Sequence, residues 1–501
     1  MIGVSSMTEP CDLTAVEARR LIGTKALSPV DLVESCIARI DAVDAAVNAL
    51  PARDFTGART AARTAEAAVM RGDTLGPLHG LPLAVKDLED AAGFVTSYGS
   101  PIHAGVVVHQ DQRTIAAIRA AGAIIIAKSN VPEFGAGANT RNAVYGATGN
   151  AFDPVKSAAG SSGGSAVALA CGMVPLATGS DTGGSLRNPA AFNGIVGFRP
   201  TPGLVANEKS GFSPLSVLGP MGRTVGDAAL LLSAMVSDDK RDPLATTIHG
   251  RTVRASSDFA IPTRCDLSSL RVALTPDFGF APTERHITDV FTEKTAHLRA
   301  AFAIADDTTP DCTGCDEAFE VLRAVSFLRK HADAMRTRPH DLGPNIHANY
   351  EEGLRYSAVD VSRAMGQQAD MYRRWQAFFD RYDVILSPAI TISPRPWTEL
   401  YPVTIDGKAT RTYFQWLSLA YCSSLIGHPS LSLPVGLDRH GMPFGLQIVG
   451  PRGGDALVLS VAAALEAHLA TDPATARPLP DLVALRQARP IAEQPGFMGF
   501  T

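Results

Sequence analysis

Residues Gly160–Pro189 read GSSGGSAVALACGMVPLATGSDTGGSLRNP. Two clusters of small residues stand out, Gly160-Ser161-Ser162-Gly163-Gly164-Ser165 and Asp181-Thr182-Gly183-Gly184-Ser185-Leu186-Arg187. Glycine inside an ordered segment costs about 0.5–1 kcal/mol relative to alanine, so such density needs a reason. One reason is close approach of the backbone to a ligand. Another is a set of N–H groups aimed at one point, as an oxyanion hole requires. Tight turns alone account for either cluster, but poorly for both. Between the clusters, Ser165–Cys171 reads as a small-residue helix and Val174–Thr178 as a buried strand.

The same alternation continues outward. Leu81–Val85 is a short apolar run before Lys86-Asp87, and reads as a buried strand. Thr114–Ala121 reads as a helix stopped by Gly122, with Ala123–Ala127 a strand beyond it. Val272–Thr275, Val384–Leu386, Ser430–Val435 and Leu446–Val449 are later strands, and Asp455–Leu469 is the last long helix. At the start, Thr14 and Glu17 suit a capping box. Ser28 and Pro29 suit an N-cap and first turn for Val30–Val43, and Ala58–Arg71 is a further helix. Strands interleaved with helices predict an α/β fold around one large sheet. No linker or repeat divides the chain, so residues 1–501 are expected to form one domain. The pattern between Asp238 and Pro344 is irregular. The Pro-rich stretch from Thr471 is expected to wrap the surface.

Composition narrows the function. The chain has 501 residues, 46% hydrophobic and 19% charged, enough for a large core. A formal charge of -5 offers no basic excess for nucleic acid. Seven scattered cysteines are no disulfide framework and fit a reducing compartment. Cys312 and Cys315 form a lone C-x-x-C, without the second ligand pair that a zinc site needs, so no metal is expected. The N-terminus lacks a signal-peptide pattern. The best membrane candidate, Ser165–Ser180, is interrupted by Gly172 and Pro175 and falls short of the roughly 20 residues a span requires. A cytoplasmic protein with no membrane partner is expected.

Three familiar motifs compete for the serine-rich centre. The first cluster fits G-x-S-x-G around Ser162. The second contains one Asp-Thr-Gly, where an aspartic protease needs two. Ser237–Lys240 fits S-x-x-K but lacks that motif's partners. A fourth pattern covers far more of the chain. The stretches GPLHGLPLAVKDL (Gly76–Leu88), AKSNVPEF (Ala127–Phe134), AAGSSGGSAVALA (Ala158–Ala170), TGSDTGGSLRNPAAFNGIVGFRPTPG (Thr178–Gly203) and PFGLQIVGP (Pro443–Pro451) together resemble the amidase signature family.

That resemblance implies the family's large mixed sheet covered by helices on both faces, and hydrolysis of a small-molecule carboxylic amide, with esters or carbamates as further candidates. It implies Ser185 as nucleophile, Ser161 as a bridging serine beside a cis peptide bond, and Lys86 as the base. It implies an oxyanion hole from the amides of Thr182, Gly183, Gly184 and Ser185. No cofactor is required, and Arg187 is expected to brace the loop. The family's usual second glycine is replaced by Ala159, whose methyl is expected to narrow the pocket edge. The substrate wall is expected from Phe134–Gly137, with Gly135, and from the aromatic, uncharged Tyr413–Leu425, with Trp416. That wall favours an apolar acyl or aryl group. Relatives commonly dimerise, which makes a homodimer the expected assembly. The alternatives are the glutaminase component of a tRNA-dependent amidotransferase and a non-catalytic scaffold. Arg411–Pro429 contains no Asp or Glu for a glutamine amino group, and an intact Lys86, Ser161 and Ser185 weigh against a scaffold.

Overall fold

The computed structural model describes residues 9–237, 239–245, 247–248, 251–252 and 254–499. Most of the N-terminal stretch read for a signal peptide, and Asp238 of the S-x-x-K match, lie outside the described residues. Eleven strands form one sheet: β1 (Ala52–Arg53), β2 (Pro82–Lys86), β3 (Ile124–Ser129), β4 (Leu176–Asp181), β5 (Val196–Arg199), β6 (Val217–Gly222), β7 (Arg271–Leu274), β8 (Ile304–Asp307), β9 (Val384–Pro388), β10 (Ser430–Leu437) and β11 (Pro443–Val449). Their order is β1-β3-β2-β4-β6-β5-β10-β11-β9-β7-β8. Parallel pairs β3/β2/β4 and β9/β7/β8 flank an antiparallel middle, so the sheet is mixed.

Side chains alternate across a strand, so one strand feeds two cores. Val272, Leu274, Val384 and Leu386 enter the larger core, while Ala273 and Ile385 enter a second. The larger core is closed by helices such as α1 (Pro29–Val47) and, at the other end of the chain, Asp455–Leu469. The second is closed by Cys315–Thr337, Ala358–Phe379 and Ser418–Leu425. Helices therefore cover both faces, as the resemblance implied.

Local signals explain the boundaries. Ser28 accepts the Val30 N–H at 2.9 Å and Pro29 opens α1, while Asn48 ends it in a left-handed conformation. Gly122, at φ 95°, separates the helix Arg113–Ala120 from β3. The Thr14 box is half formed: Thr14 accepts from Glu17 N, but the Glu17 carboxylate turns to Arg20. The stretch read as irregular holds much regular structure, including the 23-residue helix Cys315–Thr337. Its wide polar face blurs the apolar repeat. Beyond Thr471 the chain forms only short helices, and Arg141 bonds Gly496 O at 2.6 Å.

The small-residue helix α2 (Gly163–Ala170) lies where only small residues fit. A Cβ on Gly164 would stand 2.3 Å from Asn130 N and 2.6 Å from Ala49 O, both backbone atoms that cannot swing away. Gly164→Ala is expected to cost about 3 kcal/mol. Urea unfolding would measure it, and a wild-type midpoint would refute the close approach.

Candidate active site

Strand β2 carries Lys86 inward on a run buried at every position. At the strand's end the chain turns, and Asp87 is held by Lys128 on the neighbouring β3 at 3.2 Å. Lys128 also donates to Glu89 O at 2.7 Å and Thr96 Oγ1 at 2.9 Å. This buried brace fixes where β2 ends, and so where Lys86 points.

The Lys86 side-chain nitrogen meets three hydroxyls: Ser161 Oγ at 2.8 Å, Ser162 Oγ at 2.7 Å and Ser180 Oγ at 2.9 Å. Ser162 and Ser180 were not singled out as partners of Lys86 from the sequence, although both lie in or beside its glycine-serine clusters. No carboxylate is within hydrogen-bonding reach of Nζ among the described residues. Burial pushes Lys86 down to about 7, with Glu89 and Asp181 acting in the opposite sense. A neutral amine has two donors and one lone pair, so three hydroxyls satisfy it, one of them donating to nitrogen.

The Gly160-Ser161 peptide bond is cis, as the resemblance implied. Ala159 before it has φ 56°, a left-handed conformation where an alanine costs about 1–2 kcal/mol and a glycine does not. Its methyl is buried in the second core and does not line the cleft, so it strains the backbone rather than narrowing the pocket edge.

Ser185 follows β4 on a turn that ends in α3 (Arg187–Asn193). Asp181, at the end of β4, organises that turn. Its carboxylate accepts Gly184 N at 2.8 Å and Leu186 N at 3.1 Å, pairs with Arg187 at 2.9 Å and receives Arg199 at 3.2 Å. Burial opposes its ionisation, but Arg187 and Arg199 outweigh burial and hold the carboxyl well below the usual range. Arg187 has no solvent exposure and also reaches Ala420 O, Ser423, Ser424 and Gln447 at 2.7–2.9 Å. It braces the loop, as expected.

This wiring corrects one expected site residue. The Gly184 N–H is committed to Asp181 and cannot also face an oxyanion. Gly184 has another use: it sits at φ 110°, and a Cβ there would be 2.5 Å from Ala420 Cβ. The amides of Thr182, Gly183 and Ser185 have no hydrogen-bond acceptor among the described residues.

Ser161, Ser180, Thr182, Ser185 and Gly135 line one cleft of about 600 Å³, a size that suits a small molecule. Gly135, at φ 71°, backs directly onto the bridging position, where a Cβ would be 3.3 Å from Ser161 Oγ. Phe134, also left-handed at φ 49°, turns its ring onto Tyr98, His103 and His331. Trp416 is elsewhere. It is 3% exposed, packs near Phe192 and donates to Tyr413 O, so it does not line the cleft. Helix Ser418–Leu425 braces Arg187 instead of meeting substrate. The opposite wall comes from the helix Cys315–Thr337, through Lys330, His331 and Ala334. Cys312 lies 3.5 Å from Cys422 in the second core, remote from the cleft lining.

The amidase family model matches residues 31–459. An acylamidase of Rhodococcus erythropolis is 32% identical over 460 residues, covering 91% of this chain and 95% of the relative. One component of the glutamyl-tRNA(Gln) amidotransferase of Acidothermus cellulolyticus is 33% identical, covering 91% of this chain and 94% of the relative. A bacterial aryl acylamidase of the amidase signature family superposes with TM-score 0.81 at 26% identity, covering 92% of this chain and 96% of that one. The chain belongs to the amidase family, and its chemistry is hydrolysis of a carboxylic amide C–N bond.

Breaking a buried ion pair from one side costs about 3–5 kcal/mol, because the abandoned charge stays buried. Asp181→Ala leaves Arg187 and Arg199 without their carboxylate. It is expected to lose that much stability, read by denaturant unfolding, together with all turnover. A loss under about 1 kcal/mol would contradict the bracing role.

Proposed function

We propose that the protein is a free-standing amidase in which Ser185 attacks the amide carbonyl and passes its proton through Ser161 to neutral Lys86. The observation that carries this reading is a buried Lys86 bonded, among the described residues, only to hydroxyls and a carbonyl. Such a lysine is lowered to about 7 and is neutral in a large fraction of molecules at physiological pH. A serine hydroxyl needs a base of this kind to become nucleophilic.

As the tetrahedral intermediate forms, its oxyanion takes hydrogen bonds from the unpartnered amides of Thr182, Gly183 and Ser185. One such donor is worth about 3–4 kcal/mol of barrier elsewhere. Collapse breaks the C–N bond, and the relay returns the proton to the leaving amine. Water then attacks the acyl-Ser185 ester along the same path, freeing the acid. Phe134 and its ring partners give an aryl or apolar acyl group a flat surface. The glutaminase alternative fits less well. The one carboxylate among the described residues lining the cleft, Asp333, is largely exposed and paired with Arg336 at 2.5 Å, so it is a poor site for a glutamine amino group. The assembly is proposed to be a homodimer, and the compartment the cytoplasm. No helix among the described residues is long and apolar enough to cross a membrane.

Ser185→Ala is expected to abolish amide turnover and fluorophosphonate labelling while leaving the circular dichroism spectrum intact. Retained activity would remove Ser185 from the mechanism. Lys86→Ala is expected to lower kcat/KM by about 10²–10⁴-fold, the usual worth of a general base. Because Lys86 must be unprotonated, wild-type kcat/KM should rise with pH through about 7 and level off above it. The residual activity of Lys86→Ala should lack that limb, and an unchanged profile would exclude lysine as the base.

A further inference from the structure

The cleft carries more positive charge than its chemistry needs. Lys209 is held by Asp90 at 3.0 Å and by the Tyr98 hydroxyl at 3.2 Å. Arg338 is held by Asp341 at 2.7 Å. Lys330 differs. It lines the cleft, yet among the described residues its ammonium has neither a hydrogen-bond acceptor nor an ion-pair partner. Lys330 stays open to solvent at the cleft wall, and the charges acting on it are those of Arg329 and Arg323, both positive. Its neighbour His331 is no counter-ion, since burial and Lys330 push that ring down to about 4. The one acid lining the cleft among the described residues, Asp333, is paired with Arg336, so an anion entering the cavity meets an unpaired ammonium and gains a charge-assisted hydrogen bond from it.

The same wall fixes what must accompany the anion. His331 lies edge-on to Phe134 at 4.9 Å, so Lys330 stands beside the aromatic surface of the cleft. We propose that the preferred substrates are amides that also carry a carboxylate, which pairs with Lys330 while the apolar part of the molecule lies on Phe134. This rests on the reading of Ser185 as the nucleophile. It adds a binding subsite to that reading, and the carboxylate belongs either to the acyl group or to the leaving amine.

Three anilides separate the possibilities: acetanilide is neutral, 4-acetamidobenzoate carries the carboxylate on the amine, and succinanilate carries it on the acyl group. For the wild type, kcat/KM for one of the two anions is expected to exceed that for acetanilide by about tenfold, the worth of one charged hydrogen bond. Lys330→Gln should bring the ratio near one, Lys330→Arg should keep it, and Lys330→Glu should invert it. The same ranking is expected in calorimetric binding to the Ser185→Ala protein, where no turnover occurs. If Lys330→Gln leaves both the kinetic ratio and the binding difference unchanged, the subsite is wrong, whatever the nucleophile. If Ser185→Ala still hydrolyses the anilides while the charge-dependent binding persists, the subsite stands and the Ser185 reading falls.

Discussion

The whole site depends on one buried carboxylate. Asp181 ends β4, and two arginines with no solvent exposure converge on it. Three charges in a dry core are stable only when each is answered, and here the hydrogen bonds are complete enough to answer them. Asp181 accepts two loop amides, and Arg187 spends its guanidinium on carbonyl, hydroxyl and amide oxygens. The loop of Ser185 is thereby tied to two strands and to the helix Ser418–Leu425. Backbone amides can be aimed at an oxyanion only if the loop cannot relax around them, and this ion cluster removes that freedom.

Lys86 shows the opposite use of burial. Asp181 is kept charged by its neighbours, whereas Lys86 has no ion-pair partner among the described residues and is surrounded by hydroxyls. The same low-polarity interior therefore lowers one group and, through the arginines, ionises the other. The contrast is chemical: an acid that braces must be an anion, and a base that accepts a proton must start neutral. Lys128, one strand away and equally buried, meets Asp87 and serves only as a brace.

Much of this was legible in the sequence because the informative residues have few interpretations. The apolar run ending in Lys86 and the two glycine-serine clusters marked the region, and the resemblance to the amidase signature family gave Lys86, Ser161 and Ser185 their expected roles. The short strands were readable because buried runs of Val, Ile and Leu bounded by Gly or Pro have little else to be. Other parts were illegible for physical reasons. Whether Gly184 offers its N–H to a substrate or to Asp181 depends on a side-chain rotamer that no motif encodes. Trp416 in an aromatic, uncharged stretch reads equally as pocket wall or core, and the second core claimed it. The helix Cys315–Thr337 was missed because it has two surroundings along its length.

That division explains how chemistry and selectivity are separated. The first half of the helix, through Ala318, Phe319, Ala324 and Phe327, is buried against core neighbours. The second half presents Lys330, His331, Asp333, Ala334 and Thr337 to the cleft, with Lys330, Ala334 and Thr337 stacked as a stripe at helical spacings of four and three. Anchoring by the first half makes the second a rigid wall, and none of the cleft-facing residues touches Lys86, Ser161 or the Asp181 cluster. Substitution along this stripe alters what enters without disturbing the relay. The catalytic groups at the strand ends have less latitude: a methyl on Gly184 would collide with Ala420, and one on Gly135 would press on Leu88 and crowd the bridging serine. Strand ends that tolerate little, facing a helical stripe that tolerates much, are what allow one mechanism to serve many amides.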